Sequence, residues 1–146
     1  QELEAAGCPV GIGVDGSASN DGSNMIQEVR QALYLQRLKY GAQVSHFDAY
    51  RWATKGSAKM LGRSDIGSLV VGKQADIAFF KLDEMRFSGS HDPLAALLLC
   101  GAHKAEHVMV AGRWRVKKGL IEGLDVSPLL QQHGAAAKAL ATKISR

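Results

Sequence analysis

Cysteine is scarce in this chain: two residues in 146, Cys8 and Cys100, with no Cys-x-x-Cys spacing. That excludes a disulfide framework and a cysteine metal knuckle, so both thiols are expected to be reduced core residues of a cytoplasmic protein. Aromatics make up only 6% of the residues and do not interleave with a basic stripe, which argues against a nucleic-acid partner. No apolar run approaches the roughly 18 residues that a membrane span needs, and no signal peptide is evident. A soluble chain with neither a nucleic-acid nor a membrane partner is the expectation.

Charge is present but uneven. Residues 1–50 carry three basic and six acidic groups, and residues 51–146 carry fifteen basic and eight acidic, for a net charge of +4. The basic residues are scattered singly, and the acidic bias of the first third suits a cation or a neutral base better than a phosphate. With 46% hydrophobic residues, the chain can bury one ordinary core or contribute to a larger one.

The segment from Cys8 to Asp15 reads as a short apolar strand that ends on a carboxylate and opens into a loop of small and polar residues through Gly22. Parallel α/β folds put catalytic groups at such strand tips, where the backbone is rigid and the side chain is open to substrate. Asp15 is therefore the first candidate for chemistry, against the alternative that it caps a turn before Gly16. Gln1 to Gly7 reads as a helix tail closed by glycine, so the chain is expected to enter in the middle of a βα unit and to be a fragment.

Ser23 or Asn24 can cap a helix to about Tyr40, with Met25, Ile26, Val29, Leu33 and Leu38 on one face. A second helix from about Phe47 to Leu61 places Tyr50, Trp52, Ala53 and Met60 in the core. From Ile66 the period shortens: Ser68–Val71 and Asp76–Phe80 read as strands, and 106–111 pairs with 113–117 across Ala111-Gly112. Asp92-Pro93 opens a short apolar helix to about Cys100, and a closing helix runs from Ser127-Pro128 to about Lys143.

Three short motifs compete with this reading. Gly11, Gly13 and Gly16 satisfy Gly-x-Gly-x-x-Gly, but the residues after Gly16 break helices, whereas a dinucleotide loop must open one. Ser17, Ser19, Asp21, Gly22 and Glu28 fall at calcium-loop positions, yet the first lacks its carboxylate. His103 to His107 spells the His-x-x-Glu-His of inverted metalloproteases, which works only on a helix, and a strand begins at Val108. His46, His91 and His133 stand alone and read as structural or solvated, with His91 the better placed to line a pocket.

Four blocks in one order carry a resemblance: Val14-Asp15-Gly16-Ser17-Ala18-Ser19-Asn20; Ala53-Thr54 with Gly56-Ser57-Ala58 and Leu61-Gly62; Ile66 to Ile77; and Val108-Met109-Val110-Ala111-Gly112-Arg113. From Pro9 to about Gly123 the chain resembles the C-terminal third of the amidohydrolase superfamily, in the branch of metal-dependent cytosine, guanine and related deaminases. The wording of Asp15–Asn24 and of His91–Leu97 points, within that branch, to enzymes that act on an oxidised or unmodified purine base. The resemblance implies an α/β fold: the last strand and helices of a (β/α)8 TIM barrel over residues 1–62, part of a small β-sandwich over 63–123, and a closing helix over 124–146.

It also implies one divalent metal, zinc with iron as the alternative, held by a His-x-His pair, two further histidines and an aspartate. Only the aspartate maps onto this chain, at Asp15, and no His-x-His occurs in the 146 residues. Asp15 is thus expected as both catalytic residue and metal ligand, with Ser17, Ser19 and Asn20 lining the pocket or orienting it. The implied reaction is hydrolytic deamination of a small nucleobase, releasing ammonia, by a protein that can be a homo-oligomer. The 146 residues alone are expected to be inactive. Cytosine, S-adenosylhomocysteine and triazine hydrolases share the Val14-Asp15-Gly16 core and stay open as alternatives. A different class, a non-catalytic interaction module offering the edge of its 66–116 sheet, stays open as well.

Overall fold

The structure is a computed structural model and describes residues 1–16, 19–20, 22–101 and 104–144. Among the described residues six α-helices and four strands follow one another: α1 (Glu2–Ala5), α2 (Met25–Tyr40), α3 (His46–Arg51), α4 (Ser57–Met60), β1 (Ile77–Phe79), α5 (Pro93–Leu99), β2 (His107–Val110), β3 (Arg113–Lys117), β4 (Leu120–Ile121) and α6 (Val126–Ile144).

Local capping explains where the helices start. The Asn24 side-chain oxygen accepts the backbone N–H groups of Ile26 and Gln27 at 3.1 and 3.3 Å, which satisfies donors the first turn of α2 leaves open. Ser45 and Asp48 form a reciprocal capping box at the start of α3. Asp92 accepts from Leu94 and Ala95 at the head of α5, where Pro93 has no N–H to lose. Asp125, ahead of the expected Ser127, accepts from the Ser127 amide at the head of α6.

Between α3 and α4 the chain widens into one π turn, Trp52–Gly56, so helical winding is continuous from His46 to Met60. This long helix packs on α2 and α5 around Val29, Leu33, Val44, Ala49, Trp52 and Leu98, with Leu33 and Leu98 fully buried. A second small cluster joins Phe87, Ala96 and Leu97. Two expected core residues lie outside. Leu38 is 85% exposed, because five residues beyond Leu33 it has rotated off the buried face, and Met60 is exposed at the end of α4.

Both cysteines also differ from expectation. Cys8 follows the turn that ends α1 and Cys100 closes α5, and both are exposed rather than core.

The strands form one antiparallel meander, β1-β2-β3-β4. Ala111 and Gly112 both adopt positive φ, 48° and 75°, and this left-handed pair closes the tight β2–β3 hairpin whose twist matches its strands. Ser68–Val71 is not a strand: Leu69, Val70 and Val71 are exposed and pair with nothing in the sheet, because the turn at Gly72 leads into β1 only from Ile77.

Pro9 to Val14 is neither helix nor paired strand. A strand exists only against a neighbour, and among the described residues none lies alongside it. It is fixed instead to the long helix. Ile12 donates its N–H to Ser57 Oγ at 3.1 Å, and Ser57 Oγ is 3.2 Å from the Ile12 carbonyl and 3.1 Å from that of Trp52. The approach is close enough to require glycine on both sides. A Cβ on Gly56 would stand 2.1 Å from the Val10 carbonyl oxygen, and one on Gly11 would stand 2.9 Å from Ser57 Cα.

Candidate active site at the end of the Pro9–Val14 segment

Asp15 ends the segment that Gly56 and Ser57 hold in place, and its side chain is exposed. Its φ of 64° lies in the left-handed region, which aspartate and asparagine visit more readily than other side chains but still at a cost. Strain of this kind at an exposed, polar, rigidly mounted residue is a pointer to function. Among the described residues Asp15 has no hydrogen-bond or ion-pair partner.

The loop beyond it is tied down by its own polar groups. The Ser19 and Asn20 amides both reach the Gly16 carbonyl at 2.9 Å, and Ser19 Oγ donates to the same oxygen at 3.1 Å. Ser19 therefore secures the turn and does not reach Asp15. Asn20 does more: its Nδ2 donates to the Val14 carbonyl at 2.7 Å and to Glu28 Oε1 at 3.0 Å, while its Oδ1 accepts the Gly22 amide at 3.0 Å. One amide group thus links the backbone immediately before Asp15, the loop and the first turn of α2. Ser17 and Asp21 lie outside the described residues.

Ser57, named only within a resemblance block, and Glu28, named only at a calcium-loop position, were not expected to position the Asp15 segment. Ser57 acts through the backbone of Ile12 and Glu28 through Asn20, contacts made across 45 and 8 residues that no local spacing announces.

The remaining candidates are not assembled here. His107 lies on β2 and its Nδ1 accepts the Lys118 amide at 3.3 Å, so the His-x-x-Glu-His run enters a strand instead of riding on a helix; His103 lies outside the described residues. His46 faces Asp92 Oδ2 at 3.2 Å between α3 and α5, and His91 and His133 are exposed. Among the described residues no three histidine, cysteine or acidic side chains come together as a metal site.

An apolar cavity of about 540 Å³ opens between α2, the long helix and β1, lined by Met25, Val29, Tyr50, Leu61 and Phe80 among others, and Asp15 is not part of its wall. Tyr50 nonetheless shows how firmly this region is packed. Burial, and then the nearby Asp92 charge, push its phenol up to about 12, while its hydroxyl donates to the Leu94 carbonyl at 2.9 Å. Glu4, on α1, is held below the usual carboxylate range by the Arg51 guanidinium and also accepts from Trp52 Nε1 at 2.7 Å.

Comparison with known proteins extends this picture. Residues 1–124 match the amidohydrolase family. The chain is 68% identical over 140 residues to an 8-oxoguanine deaminase of Pseudomonas aeruginosa, which covers 95% of this chain and 31% of that protein. Among solved structures, an amidohydrolase from an environmental sample of the Sargasso sea superposes with a TM-score of 0.86 at 34% identity, covering 99% of this chain and 34% of that one. An adenosine deaminase of Xanthomonas campestris with bound zinc superposes with a TM-score of 0.86 at 30% identity, covering 96% and 33%. The chain spans about a third of the length of the relatives it matches.

Proposed function

Because the chain belongs to the amidohydrolase family, we propose that it is the C-terminal third of a metal-dependent hydrolase that deaminates a purine base, with 8-oxoguanine the substrate. In that protein residues 1–62 complete the barrel, 63–123 contribute to a β-sandwich beside it, and 124–146 close the chain. The observation that carries the reading is the 68% identity over 140 residues, 95% of this chain, which favours the enzyme over a stand-alone interaction module.

Asp15 fits the part this requires. A carboxylate oxygen is a good donor to a divalent cation such as zinc, and this one is exposed, rigidly mounted and unpaired among the described residues. One donor does not hold a metal alone, so the remaining ligands come from outside this chain, and the 146 residues alone are inactive. When bound, the metal lowers the pKa of a water toward neutrality.

Asp15 would accept the proton of an attacking water on its carboxylate and return it to the departing amine, so that water and the aminated ring yield ammonia and the carbonyl compound. Asn20 keeps the Val14 carbonyl, and with it the direction of the Asp15 side chain, fixed against α2.

The substrate is tested with the complete protein by measuring ammonia release from 8-oxoguanine, guanine, cytosine and a chlorinated triazine. A pocket that hydrogen-bonds the extra ring oxygen leaves donors unpaired with an analogue lacking it, so 8-oxoguanine is expected to be preferred by orders of magnitude. Fastest turnover of cytosine or of the triazine would remove the substrate assignment and leave the role of Asp15 standing.

A further inference from the structure

Lysines and arginines that look isolated along the chain are brought together by the long helix. Arg51, Lys55, Lys59 and Arg63 follow one another at intervals of four, which stacks the first three on one helical face and carries the fourth into the turn beyond Met60. The two ends of this ladder are neutralised: Arg51 pairs with Glu4 and Asp48, and Arg63 pairs with Asp65 at 2.6 Å. Lys55 and Lys59, in the middle, have no carboxylate partner among the described residues.

Like charges one turn apart repel, so this pair is destabilising unless something anionic sits beside it. The same two lysines line two adjoining cavities, one of about 540 Å³ and one of about 220 Å³. The larger is completed by Arg63 and by Lys73, which arrives from the turn before β1 with its Nζ 3.4 Å from the Ile66 carbonyl. Ser64 and Ser68 add hydroxyls to that wall, and no carboxylate lines it. The one acid at the smaller cavity, Glu4, is already engaged by Arg51 and Trp52.

We propose that the cavity walled by Lys55, Lys59, Arg63 and Lys73 binds the diphosphate group of a small anion, at a site separate from Asp15. Lysine ammonium groups act as compact point charges toward phosphate oxygens, and four cations offset only by Asp65 and the more distant Asp76, both at Arg63, match a multiply charged group better than a single carboxylate. The volume also leaves room for a nucleoside attached to the diphosphate. None of these residues is placed in the chemistry at Asp15, so the two stand or fall separately.

The test is equilibrium binding of inorganic pyrophosphate and of ADP to the complete protein, with K55Q/K59Q and K73Q as site variants and K138Q/K143Q, on the exposed face of α6, as a charge-matched control. Saturable binding that weakens at least tenfold in K55Q/K59Q and several-fold in K73Q, while K138Q/K143Q and D15N keep it, supports the site. ADP binding much tighter than pyrophosphate assigns a nucleotide, and equal affinities assign free diphosphate. Absence of saturable binding, equal losses in the control, or loss on D15N overturns the proposal.

Discussion

The helices between Asn24 and Met60 bury Val29, Leu33, Val44, Ala49 and Trp52 against one another, whereas no residue of the four strands is buried. The helical region carries its own core. The sheet is held by ladder hydrogen bonds and hairpin turns and keeps Phe79, Val110, Trp114 and Ile121 exposed. Apolar area taken from water dominates stability, so the two regions should differ sharply in how a deletion is felt. The candidate site belongs to the first region: Asp15 hangs from a segment pinned to the long helix.

Truncation of one side chain on each side of the comparison gives the largest contrast. Leu33→Ala empties a fully buried position and should destabilise by about 2–5 kcal/mol, while Val116→Ala on β3 should lose less than about 1 kcal/mol. Chemical denaturation of both variants measures this, and equal losses would break the distinction.

Gly56→Ala comes next. Its backbone is helical, so alanine is favoured by propensity, yet the new Cβ meets the Val10 carbonyl 2.1 Å away. A loss of about 1–3 kcal/mol is expected, together with displacement of the Asp15 segment. A stabilised Gly56→Ala would mean that the Pro9–Val14 segment is not seated where the structure has it.

The smallest effect concerns the hydroxyl that joins α3 to α5. Tyr50→Phe removes the bond to the Leu94 carbonyl and should lose about 1 kcal/mol. Its folded-state phenol is raised to about 12, above the unfolded value of about 10, so the folded state keeps the proton longer. That contribution is complete below pH 10 and is lost as pH rises from 10 to 12. Thermal melts across this window should fall more steeply for the parent than for Tyr50→Phe, and parallel curves would contradict it.

What could be read from the sequence divides along physical lines. Asn24, Asp92-Pro93 and the Ala111-Gly112 turn act within a few residues of themselves, and the structure has helices or a hairpin at each. The burial of Leu38 and Met60, and of both cysteines, depends on which neighbour covers them, and none does here. Pro9 to Val14 fails as a strand for the same reason, since among the described residues no strand lies alongside it. Asp15 stands out as a candidate because a carboxylate after an apolar run is a local signal. Asn20, though flagged, serves through contacts with Val14 and Glu28 that only the fold reveals. The convergence of Lys73 on Lys55 and Lys59 is likewise invisible in one dimension.

The role of Asp15 is tested most directly by Asp15→Asn in the complete protein, because asparagine keeps the shape and tolerates the left-handed backbone while it removes the basic oxygen. Turnover of 8-oxoguanine, bound metal content and the thermal midpoint are measured together. The account predicts that turnover falls by at least about a thousandfold and metal is bound less tightly, with the midpoint nearly unchanged. Near-parental turnover in a folded Asp15→Asn protein would contradict it.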